Sequence, residues 1–351
     1  MREATGYAPG RVNLIGEHTD YNDGLVLPIA LELGVTVRAG ERDDDLVRLG
    51  TDADVGPGAV SYRIGHETPD RSWGDRVRGI TAALRDRGIA IGGFTAEIAS
   101  DLPAGAGLGS SAALAVAVLR ALGDLFDLGF GDRDLVDLAN AVENGPFVGA
   151  RAGLLDQLAS VYGRPDAGLR IDLRDRSTVM IPLPSDLELA VIDSGTRHAH
   201  ATSGYNRRRA ECEEAGRHLG VASLRDLEGR EIFSIIERLV PPLDRRVRHV
   251  LTENERVRET VAALEAGDLP RVGTLLDESH RSLRDDYEVS TAELDRLVAV
   301  ARSDPEVLGA RLVGGGFGGS IIALTRRGRA LQAAHRVVNE YRGGRLVAVV
   351  P

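Results

Sequence analysis

The chain has 351 residues, 43% of them hydrophobic, and a formal net charge of -10. That length supplies core for two domains or one large α/β unit, and the acidic balance excludes a generally basic nucleic-acid-binding surface. No apolar run reaches the roughly 18 residues of a membrane span, and the N-terminus MREATGYAPG lacks the basic start and apolar stretch of a secretory signal, so a cytoplasmic location is expected.

Short apolar runs predict strands near residues 34–40, 46–51, 60–65 and 93–99, the last alternating as FTAEIAS. A helix is expected from Ser72 to Arg87, a second from Ser110 through AALAVAVLRALGDLF, a third over Asp132–Asn144 and a fourth from Leu154. Strands follow around 169–173, 179–183 and 187–193. Helical periodicity then runs from Ser203 to about Ala301, broken at Pro241–Pro242, at Gly267–Pro270 and near Ser290, where Ser290 and Glu293 read as a capping box. The chain closes with strand, Gly-rich turn, strand, helix and strand. Strand runs and helix runs without strict alternation predict an α+β fold. A boundary near residue 185, in PLPSD, divides it into domains 1–185 and 186–351.

The 43 basic residues are all arginine, which removes P-loop and Schiff-base lysine chemistry. The single cysteine, Cys212, excludes an internal disulfide and a multi-cysteine metal site. Four segments remain that carry chemistry. GRVNLIGEHTDYNDG at 10–24 crowds Arg11, Asn13, Glu17, His18 and Asp20 between glycines. Such a loop suits a polyhydroxylated ligand, whose hydroxyls both donate and accept; composition alone leaves a polar surface loop open. In LPAGAGLGSSAALAV at 102–116, glycines precede a Ser-Ser pair opening an apolar helix, an arrangement that either cradles phosphate or merely caps a helix. A serine there can also ligate Mg²⁺. In GARAGLLDQLAS at 149–160, Asp156 enters a helix start, where a carboxylate either accepts a proton or only answers the helix dipole. VGGGFGG at 313–319 contains the spacing G-x-G-x-x-G, but a strand rather than a helix follows, so a tight hairpin is the better reading.

In this order the four segments resemble those of galactokinases, in the GHMP kinase superfamily. The resemblance runs nearly end to end and includes VIDSGTRHAHATSGYNRRRAECEEA at 191–215, RHVLTENERV and ESHRSLRDDYEVSTAELD. It implies a two-domain α+β GHMP kinase fold of mixed sheets and helices, with the active site in the interdomain cleft. It also implies ATP and Mg²⁺ as cofactors and galactose or a related monosaccharide as substrate, in a monomer with no nucleic-acid or membrane partner. Carried over by matched position, Asp156 would be the catalytic carboxylate toward the sugar's anomeric hydroxyl. Arg11 would sit beside it, since an adjacent cation favours a deprotonated carboxylate, and would stabilise charge on the transferring phosphoryl group. Glu17, His18, Asp20, Gly153 and Tyr205 match sugar-binding positions. Gly105, Ala106, Gly107, Leu108, Gly109, Ser110 and Ser111 match the phosphate loop, Ser111 and Glu143 the metal ligands, and Trp73 the adenine pocket. The same core is shared by kinases of arabinose, galacturonate and N-acetylgalactosamine, by mevalonate-type kinases and by catalytically silent sugar sensors. The complete Ser110-Ser111-Ala112-Ala113 motif argues against the sensor.

Overall fold

A computed structural model describes residues 2–51, 59–103, 106–197 and 201–350. The chain begins with β1 (Glu3–Asn13), a single 3₁₀ turn (Asp20–Asn22), β2 (Leu25–Val26) and β3 (Pro28–Glu41). Next come β4 (Leu46–Thr51), β5 (Val60–Arg63), α1 (Asp75–Asp86), β6 (Phe94–Ser100) and α2 (Ser110–Leu125). α3 (Asp132–Asn144), α4 (Leu155–Tyr162), β7 (Ala167–Asp172), β8 (Ser177–Pro182) and β9 (Leu187–Arg197) follow. A helical stretch holds α5 (Ala201–Leu219), α6 (Ile232–Ile236), α7 (Leu243–Glu265), α8 (Leu269–Asp285) and α9 (Ala292–Ser303). The last elements are β10 (Val307–Val313), β11 (Gly318–Arg326), α10 (Ala330–Tyr341) and β12 (Arg345–Val350).

These elements form two compact units, and neither is a continuous half of the chain. The first comprises 1–11, 30–104 and 108–163; the second comprises 12–29, 105–107 and 164–351. In the first unit the strands run in the order β1, β3, β6, β4, β5, with β4 parallel to β6. Its central helix is α2, whose run of alanines, valines and leucines is buried almost throughout. The small side chains let β1 come very close: a Cβ at Gly6 would stand 2.1 Å from the Ala117 carbonyl oxygen. α1, α3 and α4 pack around α2 and around each other.

In the second unit β2 and the start of β3 pair with β7, which also pairs with β8. A four-stranded sheet, in the order β10, β11, β9, β12, is antiparallel throughout. β11 is buried from Ser320 to Thr325 on both faces, which explains its unbroken apolar sequence. The core there joins Ala190, Ile192, Val247, Leu283, Leu312 and Ile321 with their neighbours. α8 lies against β10 at a point where Gly273 and Gly309 meet backbone to backbone.

One strand was not anticipated, and one local expectation changes. β1 is a strand of 11 residues, although Pro9 and Gly10 break the alternation by which a strand is recognised. The helix after Ser290 is capped one residue later, where Thr291 accepts the Leu294 N–H at 3.3 Å, while Ser290 donates to Asp295. The hairpin expected at 313–319 is present between β10 and β11. Gly316 must be glycine there: its φ is +74° and a Cβ would lie 2.4 Å from the Val289 carbonyl oxygen. Among the described residues, no helix is long and apolar enough to cross a membrane.

Candidate active site

In the first unit, β1 and α4 bring Arg11 and Asp156 together across 145 positions of sequence. Arg11 Nε donates to Asp156 Oδ1 at 2.9 Å, and the Nη2 nitrogen approaches the same oxygen at 2.7 Å. Two further bonds fix the pair. One turn after Asp156, Ser160 Oγ donates to the Pro9 carbonyl at 2.8 Å, tying α4 to β1. The Arg11 N–H donates to the Leu108 carbonyl at 2.9 Å, tying β1 to the glycine-rich turn before α2. The guanidinium is 10% exposed and the carboxylate 34%. Both cation contacts fall on Oδ1, and no hydrogen bond to Oδ2 is made among the described residues. Asp156 also sits in the first turn of α4, where the helix dipole favours a negative charge.

α2 opens at Gly109, in the left-handed region at φ 72°, with no side chain capping its first amides. A Cβ at Gly109 would press on the Arg11 side chain at 3.3 Å. Uncapped N-terminal amides beside a cation form a cradle for phosphate oxygens. Ser111, in that first turn, donates to Glu143 Oε2 from α3, and Arg76 Nε donates to the Ser111 hydroxyl. Arg76 lies 3.7 Å from the same Glu143 oxygen. A hydroxyl and a carboxylate side by side fit Mg²⁺, which takes few protein oxygens and keeps its remaining positions for water and phosphate. Trp73, just ahead of α1, has a buried Nε1–H with no hydrogen-bond partner among the described residues. Gly153 lies in the coil leading into α4. Gly105 falls outside the described residues, whereas Ala106 and Gly107 belong to the second unit, where the Ala106 carbonyl accepts from Ser320 Oγ at 2.9 Å.

The loop at 12–29 belongs to the second unit. Glu17 is held there by Arg311, a side chain with 0% exposure on β10. Arg311 donates to the carbonyls of Asn13, Leu14 and Leu312 at 2.7, 2.8 and 3.0 Å, and to Glu17 Oε1 at 3.0 Å. The Gly314 N–H reaches the same Oε1 at 2.8 Å. Both contacts fall on Oε1, and no hydrogen bond to Oε2 is made among the described residues.

His18 adopts φ 62° and is 3% exposed. It lies within 4.8 Å of the Tyr287 ring and 5.4 Å of the Tyr205 ring, measured between centroids. Burial above all, with the His249 ring and the Arg208 charge, pulls its pKa down to about 3, so the imidazole is neutral. A chain of hydrogen bonds runs from Cys212 Sγ to Tyr287 OH at 3.0 Å, to Tyr21 OH at 2.9 Å and to His18 Nδ1 at 2.9 Å. His18 Nε2 lies toward the Gly315 backbone but has no hydrogen bond of good geometry. Burial also raises the Cys212 thiol to about 11, which makes it a packing group rather than a nucleophile. Asp20 receives a long contact of 3.5 Å from Tyr205 OH on α5.

Sequence reasoning missed Arg76, Arg311, Tyr21 and Tyr287. Nothing local marks Arg76, Arg311 or Tyr287, whose partners named here lie 35 or more residues away (Arg76 and Ser111 being 35 apart, Arg311 and Glu17 294, Tyr287 and Tyr21 266), whereas Tyr21 stands in the segment 10–24 three residues from its partner His18.

Three family models match the chain. The GHMP kinases N terminal domain matches residues 75–164, the GHMP kinases C terminal model matches 260–343, and the galactokinase galactose-binding signature matches 2–41. Fold and site thus define a kinase of the GHMP type. A curated galactokinase of Roseiflexus sp. is 43% identical over 339 residues, 95% of this chain and 86% of its own length. One of Streptomyces coelicolor is 43% identical over 329 residues, 92% of this chain and 84% of its own. The crystal structure of Lactococcus lactis galactokinase complexed with galactose superposes with a TM-score of 0.93 at 33% identity, covering 98% of this chain and 92% of that one. The L. major mevalonate kinase complexed with R-mevalonate, at TM-score 0.69 and 20% identity, shares the fold. The chain belongs to the galactokinase family.

Proposed function

We propose that this chain transfers the γ-phosphoryl group of ATP to the anomeric C1 hydroxyl of galactose, giving galactose 1-phosphate and ADP. Its 43% identity to a galactokinase over 95% of its length carries the reading. In the transfer, the C1 oxygen bonds to the γ-phosphorus as the bond to the β-γ bridging oxygen breaks. The hydroxyl proton goes to Asp156. Arg11 binds Oδ1 of that carboxylate and so holds it still, while its positive charge stabilises the phosphoryl oxygens. Catalysis of this kind rests mostly on positioning and charge stabilisation.

Glu17 and Asp20 accept from sugar hydroxyls, His18 and Tyr205 shape the pocket, and Gly153 gives the sugar room. The amides from Gly105 to Ser111 bind the ATP phosphates, and Trp73 contacts the adenine. Ser111 and Glu143 would hold Mg²⁺, which when bound neutralises phosphate charge. Arg76, hydrogen-bonded to Ser111, adds a second fixed cation to that group. The reading includes a monomer working where ATP is plentiful, in the cytoplasm.

The test is ADP release by the purified protein with ATP and Mg²⁺ against galactose, arabinose, galacturonate and N-acetylgalactosamine. Galactose is expected to give the highest kcat/KM. A different sugar ahead by about tenfold, only about 1.4 kcal/mol of transition-state preference, would overturn the substrate assignment.

A further inference from the structure

The segment RHVLTENERV, within α7, has no part in the chemistry above, yet one face of that helix is turned to the loop at 12–29. His249, Glu253, Asn254 and Val257 follow at i, i+4, i+5 and i+8, the spacing that puts side chains in one row. Three of them bond the loop's backbone. His249 Nε2 meets the Glu17 carbonyl at 3.1 Å. That carbonyl can only accept, so Nε2 carries a proton, while Nδ1 lies 2.9 Å from Ser282 Oγ, which also reaches Asp286 Oδ2 at 3.1 Å. Glu253 Oε1 accepts the Gly16 N–H at 3.1 Å, and Asn254 Oδ1 accepts the Leu25 N–H at 2.8 Å. Val257 fills the space beside Gly16, where a Cβ would stand 3.1 Å from its Cγ2.

The bonded groups bracket Glu17, His18 and Asp20. Glu253 is the central one, with its side chain 0% exposed. Besides the Gly16 N–H, its Oε1 accepts from Ser279 Oγ at 2.7 Å, and its Oε2 accepts from Arg256 Nε at 2.8 Å. Burial raises its pKa, but the Arg256 charge, the His249 ring, the Arg311 charge and the Ser279 hydroxyl outweigh that and bring it to about 2. A buried carboxylate with this many donors fixes a single geometry.

We propose that Glu253, with His249 and Asn254, is a positioning residue for galactose binding: it sets the backbone of residues 16–25 and through it the sugar-contacting side chains, without touching the sugar. The inference rests on the reading of that loop as the galactose loop. Loss of Glu253 would therefore weaken capture of galactose while leaving ATP binding alone.

The experiment compares Glu253→Ala, Glu253→Gln, Asn254→Ala and, as control, Glu255→Gln, whose side chain is exposed on the same helix. Steady-state kinetics and hydrogen exchange at the amides of residues 14–27 are measured on the full chain. Glu253→Ala is expected to raise KM for galactose about tenfold or more while KM for ATP stays within about twofold. Exchange at the loop amides should quicken by a similar factor. Glu253→Gln keeps an oxygen for Gly16 and Ser279 but loses the charge facing Arg256. It should lower the melting temperature yet hold KM for galactose within about threefold of wild type. Simple loss of folded protein would lower apparent kcat and leave both KM values in place. That result for Glu253→Ala, or a Glu253→Gln variant as impaired in KM as the alanine one, would overturn the proposal. Should Glu253→Ala fail to fold, Asn254→Ala decides: raised KM for galactose with faster loop exchange supports the proposal, and no change in either overturns it. Absence of galactose turnover in the wild type would sink the functional reading instead, and loop exchange would still report on Glu253.

Discussion

Acid should destabilise this protein at a pH well above the carboxylate range, because two of its buried histidines cannot charge in place. His18 has its pKa pulled from 6.5 to about 3, and His249 from 6.5 to about 4, burial being the largest cause for each. In the unfolded chain both rings return to about 6.5, so below that pH the unfolded state binds more protons than the folded one. Stability is then full above about pH 6.5 and falls as the pH drops toward the folded values. Each ring loses about 1.4 kcal/mol per pH unit, or about 2 kcal/mol by pH 5 and about 4 for the pair. Against a total of about 5–15 kcal/mol this is a large share. With about 2–4 °C per kcal/mol for a unit of this size, the melting temperature should fall by about 8–16 °C between pH 7.5 and 5. His280, lowered to about 4 by burial despite its partner Asp295, acts in the same direction. Glu253 does not confuse the measurement, since a carboxylate brought down to about 2 keeps its contribution until the pH passes below its unfolded value of 4.5. The assay is thermal unfolding in matched ionic strength from pH 7.5 to 5, repeated with His249→Gln, which should remove about a third of the slope, one of three lowered rings. A melting temperature that stays within about 3 °C over that range would refute the reasoning.

Asp156→Asn and Asp156→Ala should abolish turnover with the fold intact, as read by near-unchanged melting; near-normal kcat would discredit the role of that carboxylate. Arg11→Ala should lower kcat by about 10²-fold or more, measured at saturating galactose and ATP, because it removes both the clamp on Asp156 and a cation for the phosphoryl group. Glu143→Gln should raise the Mg²⁺ concentration needed for half-maximal rate, with KM for galactose unchanged; an unaltered Mg²⁺ titration would remove Glu143 from the metal site.

Much of the candidate site was legible because its chemistry is written in short local segments. GRVNLIGEHTDYNDG declared a loop rich in hydrogen-bonding side chains, GLGSSAA a glycine-rich turn opening an apolar helix, and LLDQ a carboxylate at a helix start. Helix boundaries followed from periodicity over a dozen or more residues, and α3 begins and ends where expected. β1 was harder, since Pro9 and Gly10 interrupt a pattern that only pairing with a neighbouring strand restores.

What the sequence determined alone was therefore residue types and their local backbone setting: a carboxylate at a helix start, glycines ahead of an apolar helix, a polar loop between glycines, and the absence of lysine. Only the tertiary structure decided which oxygen of Asp156 Arg11 occupies, that Arg311 holds Glu17, and that Glu253 holds Gly16 across 237 positions. A side chain's type is fixed when the chain is made, but an arginine or a glutamate can pair with any of dozens of partners. The choice is made by packing, which removes water from one arrangement and makes every unpaired alternative costly.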